Sequence, residues 1–426
     1  MKPLNHLTAS QIVEAIAAGN ATCEGVARAC LDHIAEREPQ VQAWQFLDPK
    51  LVLEQARSLD RRAGVGPLQG VPIGMKDIID TCDMPTEYGS PIYQGHRPVT
   101  DAACVALSRK AGAVIMGKTV TTEFANRHPG KTRNPFDPQR TPGGSSSGSA
   151  AAVGDYMVPL GVGTQTTAST IRPAAFCGCV GYRPTWGDLR CVGVKEAAGS
   201  LDTLGLIARS VEDIALFRDV LLGARAAPLP ELDAAPRIGF CRTPMWDQCE
   251  PRTQLLLEDL AQSLRTAGAD VRDVTLPAEF ARIPDAHQWI SSFEFSRNFT
   301  WEIDNHWERL STTLRNGRLK DGLACTFDQY REARDFVERL RASLRDIFGD
   351  RDVLLVPAVS GEAPIGLDST GNASFCTIWT SMHVPAMTLP LFSGPHSLPV
   401  GAQFVAPRNA DRKLMAACRW VMQRAT

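Results

Sequence analysis

The sequence predicts an α/β protein, because segments with strand and helix patterns alternate along it. Residues 101–112 have the spacing of a helix, and residues 113–116 that of a short buried strand. Further on, a strand over 237–241, a helix over 253–267 and a strand over 270–276 form a β-α-β succession that favours parallel pairing. With 426 residues, the chain is long enough for one large domain or two ordinary ones.

The remaining segments continue the alternation. Near the start, Thr8 and Gln11 fit a capping box that opens a helix. The other predicted elements are helices over 22–36 and 211–222, a buried strand within 69–80, an amphipathic helix over 333–347, a buried strand over 352–357 and a helix after Asn409. A Pro/Ala-rich connector over 226–236 is the best candidate for a boundary between subdomains.

Composition narrows the function classes. A net charge of −2 gives no electrostatic reason to expect nucleic acid or an anionic membrane as a partner. The 12 cysteines and 8 histidines are scattered without the paired spacings of zinc sites, so we expect free thiols in a reducing environment and no metal or cofactor. No run of about 18 apolar residues is present, and the first residues lead into no apolar segment. These features predict a cytoplasmic protein.

Two turns rich in hydroxyl groups, within residues 143–173, are the most informative part of the chain. The first turn, residues 143–148, reads Gly-Gly-Ser-Ser-Ser-Gly, and glycine there permits tight bends that present serine hydroxyls and free N–H groups. The second, residues 163–169, reads Gly-Thr-Gln-Thr-Thr-Ala-Ser and is poor in glycine. The small and apolar residues between the turns predict one packed element.

Lys76 lies at or near the middle of the predicted strand within residues 69–80. Two interpretations are open for a lysine among such apolar neighbours. Its side chain can extend along the apolar surface and keep its amine in water. Alternatively, the amine is desolvated, its pKa falls, and its neutral fraction can act as a base.

Two further local patterns match known motifs on weak grounds. Residues 112–119 match the phosphate-loop pattern, but the four intervening residues are apolar and half are β-branched, which is typical of a buried strand. Residues 144–148 match a nucleophile elbow centred on Ser146, but that elbow follows a strand, whereas two prolines precede this one. We therefore favour neither interpretation.

A set of motifs in a fixed order resembles the amidase signature family over essentially the whole chain. The motifs lie at residues 70–73 with Lys76 and Asp77, at 111–119, 143–146, 171–178, 201–203 and 210–213, and at 398–401. Residues 76–81, 84–87 and 143–149 further resemble malonamidase-type members. The resemblance implies one α/β domain with a mixed β-sheet covered by helices on both faces. It also implies an N-terminal helical part to about residue 65, a catalytic core over 66–222, a variable insertion over 223–350 and a C-terminal part of the core over 351–426.

The same resemblance implies a role for each ambiguous residue. Ser169 matches the nucleophile, Ser145 a bridging serine that follows a cis peptide, and Lys76 the base. Backbone N–H groups of Thr166, Thr167 and Ala168 would stabilise the oxyanion, although Thr167 and Ala168 stand where the family has two glycines. We expect an ordinary backbone there, because a positive φ would be strained at a β-branched threonine.

Arg172 matches an arginine that binds a substrate carboxylate in malonamidase-type members, and a guanidinium fork suits that task. The alternative is a buried structural ion pair. A glutamine that assists substrate binding in those members falls at Ser291 here, in a loosely matching segment.

The resulting functional hypothesis is an amidohydrolase that cleaves a small, carboxylate-bearing amide or urea-like substrate. Two alternatives remain at this stage. One is a protein with the same fold that has lost or altered the chemistry and serves in binding or assembly, and the other is an acyltransferase or esterase that uses the same three residues. The malonamidase resemblance also implies a homodimer, with no further partner.

Overall fold

The computed structural model describes residues 2–62, 64 and 66–424. Its strands form one mixed 11-stranded sheet in the order β1-β3-β2-β4-β6-β5-β10-β11-β9-β7-β8. This confirms the predicted single α/β domain, whereas the four-part division of the chain stays a prediction. The strands are β1 Trp44–Leu47, β2 Pro72–Lys76, β3 Val114–Thr119, β4 Leu160–Gln165, β5 Val180–Arg183, β6 Thr203–Ala208, β7 Arg237–Phe240, β8 Asp270–Asp273, β9 Val353–Pro357, β10 Ala386–Ser393 and β11 Pro399–Val405.

Helices connect the strands and cover both faces of the sheet. The α-helices are α1 Ala9–Ala17, α2 Cys23–Val41, α3 Pro49–Asp60, α4 Ala103–Lys110, α5 Ser147–Gly154, α6 Ile171–Phe176, α7 Val211–Leu221, α8 Pro251–Thr266, α9 Ile283–Asn298, α10 Thr300–His306, α11 Thr312–Leu314, α12 Lys320–Ala324, α13 Phe327–Ala342, α14 Leu344–Phe348, α15 Ser374–Ser381 and α16 Asp411–Met422. None of the helices described here combines the length and apolar character needed to cross a bilayer.

Strand β3 illustrates how both faces of the sheet become buried. Val114 and Met116 pack into a cluster with α2, α3 and α5, whereas Ile115 between them packs into a cluster with α4 and α7. Successive side chains of a strand point to opposite faces, so a fully apolar strand needs helices on both sides. The phosphate-loop interpretation of residues 112–119 is therefore wrong, because this segment is a buried strand.

One of the predicted catalytic residues, Lys76, lies on β2, the third strand from one edge of the sheet. Strand β2 lies between β3 and β4 and pairs with both in parallel. Lys76 is the last residue of β2, not near its middle, because Ile78 and Ile79 both donate backbone hydrogen bonds to the Lys76 carbonyl and bend the chain away. The lysine therefore projects from the carboxyl end of a buried strand.

Residues 143–173 contain two packed elements instead of the predicted one. Helix α5 follows the first serine turn, and β4 leads into the second. The chain leaves the helix at Asp155 and Tyr156, where Tyr156 has a φ of 60°. Helix α5 packs closely against the sheet at Gly148. This glycine lies against main-chain atoms of residues 43, 119 and 120, and the Cβ of any other residue would not fit there.

The predicted β-α-β unit in the second half of the chain is confirmed. Strand β7 pairs in parallel with β8 and with β9. Strand β8 ends at Asp273, three residues earlier than predicted. After it, helices α9 to α14 form an irregular helical layer, and this layer supplies the outer wall of the cavity described next.

Candidate active site

Lys76 is completely buried at the end of β2. Its Nζ donates hydrogen bonds to Ser145 Oγ at 2.7 Å and to Thr164 Oγ1 at 2.8 Å. Burial lowers the pKa of the Lys76 amine to about 7, and the negative charge of Asp202 opposes this shift. The interpretation of Lys76 as a solvent-reaching side chain is therefore wrong, and a large fraction of the amine is neutral near pH 7.

The first serine turn brings Ser145 to this amine. The peptide bond between Gly144 and Ser145 is cis, as the family resemblance implies. Ser146 has a different part in the turn, since its hydroxyl bonds to the main chain of Thr164 and its N–H donates to the Ser169 carbonyl at 3.2 Å. The hydroxyl of Ser146 thus ties the two turns together, and no strand precedes it, so the geometry does not fit a nucleophile elbow.

Ser169 lies beside this turn, just before α6, and lines a large cavity. The residue is 8% exposed. Within the part of the chain that the structure describes, its hydroxyl has no hydrogen-bond partner within 3.5 Å, and this includes the Ser145 hydroxyl. The structure thus joins Lys76 to Ser145 directly, while Ser169, whose carbonyl accepts the bond from the Ser146 N–H, lines the cavity and keeps its hydroxyl unpaired among the described residues.

The second turn offers unpaired N–H groups beside Ser169. Among the described residues, none accepts a hydrogen bond from the backbone N–H of Thr167, Ala168 or Ser169. Neither Thr167 nor Ala168 is among the non-glycine residues with positive φ. The predicted ordinary backbone is therefore confirmed, and threonine and alanine fit without the strain that a left-handed conformation would cost.

Side chains from two helices hold the carbonyls of this turn. His287 of α9 donates from Nε2 to the Thr166 carbonyl at 2.9 Å, and Thr380 of α15 donates to the Thr167 carbonyl at 2.7 Å. The C=O and N–H of a trans peptide point in opposite directions. Fixing these two carbonyls therefore orients the N–H groups of Thr167 and Ala168 to the other side of the turn.

Two titratable groups contact this turn. Burial lowers the pKa of His287 to about 4, so its imidazole is neutral, with the proton on Nε2 where it meets the carbonyl. Burial raises the pKa of Asp202 to about 6, although the hydrogen bond from Thr166 Oγ1, 2.6 Å long, opposes the shift. Asp202 thus lies close to Lys76 and shares its environment.

Arg172 contacts neutral oxygens in place of a carboxylate. Its guanidinium donates to the carbonyls of Gly371 and Gly144 and to Thr370 Oγ1, at 2.6 to 2.9 Å, while its buried Nε has no partner. Burial lowers its pKa to about 10, which leaves it charged at neutral pH. No carboxylate of the described residues pairs with it, so the structural ion-pair interpretation is wrong.

The cavity in front of Ser169 has a volume of about 570 Å³. Its charged lining residues are Arg127, Arg172, Arg318, Asp285, Asp321 and Asp368. Ser291 also lines it, which agrees with the predicted position for a substrate-contacting side chain. Elsewhere, Cys82, Asp83 and Asp101 approach one another closely enough to suggest a cation, but Arg109 already pairs with both carboxylates.

Several residues of the site are not predicted from the sequence. Thr164 and Asp202 lie in segments that carry recognisable motifs, but nothing in those motifs indicates that Thr164 bonds to Lys76 or that the charge of Asp202 acts on it. His287, Arg318 and Thr380 come from regions without a local motif, and only the tertiary structure brings them to the turn and the cavity.

Comparisons with known proteins identify relatives that match nearly the whole chain. The family model described as amidase matches residues 25–415. A glutamyl-tRNA(Gln) amidotransferase subunit of Chloroflexus aggregans is 34% identical, over 100% of this chain and 98% of that protein.

Two solved structures are also similar. The native peptide amidase of Stenotrophomonas maltophilia has 28% identity and a TM-score of 0.86, and the match covers 99% of this chain and 98% of that one. A chain from a vestigial protein complex, which reveals the evolutionary origins of an s-triazine catabolic enzyme, has 25% identity and a TM-score of 0.89, with 98% of both chains covered.

Proposed function

Because the chain belongs to the amidase family, we propose that it hydrolyses the C–N bond of a small, carboxylate-bearing amide or urea-like substrate through an acyl-enzyme on Ser169. Family membership makes the chain an amide-hydrolysing enzyme. The observation that carries the finer proposal is the completely buried Lys76, whose Nζ lies 2.7 Å from Ser145 Oγ beside the free hydroxyl of Ser169. No step of the proposal needs a cofactor or a metal.

In the proposed relay, neutral Lys76 accepts the proton of Ser145, and Ser145 accepts that of Ser169. The oxygen of Ser169 then attacks the amide carbon and forms a tetrahedral intermediate. The proton returns from Lys76 through Ser145 to the leaving nitrogen, the C–N bond breaks, and an ester to Ser169 remains. Water then attacks this ester with the same base and releases the carboxylic acid.

The free N–H groups of the second turn support a role in stabilising the tetrahedral intermediate. The proposed oxyanion hole consists of the backbone N–H groups of Thr166, Thr167 and Ala168. One such donor contributes about 3–4 kcal/mol in a comparable hydrolase. Because side chains already fix two carbonyls of the turn, little reorganisation is needed when the negative charge develops.

Arg172 is the reason for proposing that the substrate carries a carboxylate. It is a charged guanidinium on the cavity wall, three residues after the nucleophile, and no acidic side chain of the described residues neutralises it. A substrate carboxylate would supply the missing negative charge.

Labelling with a fluorophosphonate tests the nucleophile. We expect rapid labelling of the wild-type chain and none of Ser169→Ala, whose amide hydrolysis should also fall to background. Ser147→Ala is the matched control and should keep both labelling and hydrolysis, because this serine lies in the first turn but its hydroxyl bonds to the Val120 carbonyl and not to the second turn. Amide hydrolysis by Ser169→Ala at the wild-type rate would show that Ser169 is not the nucleophile.

Transfer of the acyl group is the second candidate function, since one relative is by name an amidotransferase subunit. Hydroxylamine added to the assay separates the two candidates, because a transferase would form hydroxamate in preference to the free acid. The same comparison with an ester substrate tests the esterase alternative. A purely binding or assembly role is disfavoured, because the chain retains all three proposed catalytic residues, with Lys76 bonded to Ser145 and Ser169 on the cavity wall.

Assembly and location remain proposals. We propose a homodimer in the cytoplasm from the malonamidase resemblance and the composition. Sedimentation of the purified chain would test the dimer. One relative is by name a subunit, and another comes from a protein complex. Sedimentation with candidate partner proteins would therefore also test association with a different protein.

A further inference from the structure

The outer wall of the cavity carries an arginine on an irregular turn. Arg318 belongs to a π-helical turn, Arg315–Leu319, in which Gly317 departs from helical geometry with φ −105° and ψ −112°. Single π-turns of this kind recur at functional sites, because the extra residue redirects a side chain. Here the turn brings Arg318 to the lining of the cavity that Ser169 also lines.

Arg318 is partly buried, and no carboxylate of the described residues lies within ion-pair distance, 4.0 Å, of its guanidinium. The charges of Asp202 and Asp321 act on it from farther away and oppose the lowering of its pKa. The guanidinium makes no hydrogen bond in the described part of the chain and lies 5.6 Å from the centroid of the Phe295 ring. By contrast, Arg315 on the same turn pairs with Glu308 at 2.9 Å. Arg318 is therefore able to take an anionic ligand as its direct partner.

Two other arginines line the same cavity. Arg127 is exposed and makes no side-chain hydrogen bond or ion pair among the described residues, and Arg172 binds only neutral oxygens. Burial, and to a smaller extent the positive charge of Arg127, lower the pKa of both Arg318 and Arg172, so Arg127 acts on each of the other two. Three aspartates also line the cavity, but none lies within ion-pair distance of these arginines.

We propose that Arg318, assisted by the charge of Arg127, forms a second anion subsite, so that the preferred substrate carries two carboxylates. One carboxylate contacts Arg172, three residues after the nucleophile, and the other contacts Arg318 of the helical layer. The inference rests on the proposed function, because it extends that substrate to a dicarboxylate class. The cavity volume of about 570 Å³ leaves room for a second charged group beyond a three- or four-carbon monoamide.

Binding measurements on Ser169→Ala test the subsite without turnover. Calorimetry would compare succinate, glutarate and adipate with monocarboxylates of the same length, namely butyrate, pentanoate and hexanoate. The series is needed because the dicarboxylate of best length identifies the spacing between the two subsites. We expect at least one dicarboxylate to bind about 10–100-fold more tightly than its monocarboxylate, as for a charge-assisted bidentate contact.

Variants of the π-turn distinguish a specific contact between Arg318 and a carboxylate from an attraction by the overall positive charge of the turn. Arg318→Gln should remove the dicarboxylate preference, and Arg318→Lys should restore only part of it, since an ammonium cannot make the bidentate contact. Arg315→Gln, on the same turn but paired with Glu308, should keep it. Equal binding of dicarboxylates and monocarboxylates by the parent Ser169→Ala protein, or an equal loss in Arg315→Gln, would overturn the subsite.

The same measurements distinguish this inference from the proposed function. If Ser169→Ala still hydrolysed amides, the nucleophile would be wrong, but the dicarboxylate preference would still report on Arg318. If the nucleophile were confirmed and the preference were absent, only the second subsite would fail. Unfolding curves of each variant would show whether it is folded, so that a lost dicarboxylate preference can be assigned to the substituted side chain and not to unfolding.

Discussion

The dependence of the rate on pH is the most direct test of Lys76 as the base. Its pKa lies at about 7, compared with a usual value of 10.5. The neutral fraction is therefore about one half at pH 7, one eleventh at pH 6 and ten elevenths at pH 8. At the usual pKa, only about one lysine in 3,000 would be neutral at pH 7. Burial thus enlarges the pool of active base by about 1,500-fold.

We accordingly expect kcat/KM to rise about tenfold per pH unit below pH 6 and to level off above pH 8. This profile reports the free enzyme and should be measured by ammonia release with an amide whose own groups do not titrate between pH 5 and 9. Lys76→Arg is the matched variant, because a guanidinium keeps its proton throughout this range. It should lower the rate by about 10²–10⁴-fold and remove the rise with pH. A flat wild-type profile, or a Lys76→Arg rate within threefold of wild type, would refute the reasoning.

Four further outcomes can be measured. Arg172→Met should raise KM at least tenfold for a carboxylate-bearing amide but much less for its neutral methyl ester, and equal effects on both would exclude carboxylate recognition. Thr380→Val removes the bond to the Thr167 carbonyl and should lower kcat about 10-fold with little change in KM; a change in KM alone would contradict this positioning role. The double variant Thr167→Gly, Ala168→Gly should hydrolyse amides with bulkier acyl groups, and unchanged rates across a substrate panel would show that the substitution is silent. Gly148→Ala should cost at least about 1–3 kcal/mol of unfolding free energy in urea titrations, since its Cβ would lie 2.2 Å from a main-chain oxygen.

The catalytic side of the site can be predicted from sequence to a useful degree. Ordered motifs assign Lys76 and Ser145, and the structure brings the two side chains into contact. The local pattern around Lys76 cannot decide between a surface amine and a buried one, since both occur at the end of an apolar segment. That decision depends on β3 and β4, which flank β2 and are distant in sequence.

The residues of the helical layer that line the cavity can be predicted from sequence much less well. Among helices α9 to α14, α13 shows the amphipathic spacing of a surface helix, and no motif indicates which polar residues of this layer face the cavity. Arg315 and Arg318 are indistinguishable in sequence, yet one pairs with Glu308 and the other lines the cavity. The two arginines differ because they lie on a π-helical turn, in which one extra residue changes the directions of the side chains. The sequence pattern does not predict this extra residue.

The sheet order presents a similar limit. Five of the eleven strands, β2, β3, β7, β8 and β9, are predicted as short apolar segments, whereas β1, at one edge, and β10 and β11, which pass between β5 and β9, are not. The pairing of β5 with β10 joins Arg183 to Ala386, about 200 positions apart, and it is selected by packing of the completed core, which no short window contains.

The cavity has one wall from residues 125–172 and another from residues 284–321 and 368–377. The first wall comes from residues 125–127, the second turn and the start of α6, whereas much of the second consists of irregular helical turns between β8 and β9. The residues proposed to cleave the bond, together with Arg172, are thus encoded in one portion of the gene, and the helical part of the cavity lining is encoded in a later one. Mutations in the later portion can alter what the enzyme accepts while the inherited chemistry stays intact, so relatives with the same reactive residues can diverge in the compounds they consume. Exchanging this portion between two relatives is therefore a practical route to new specificities.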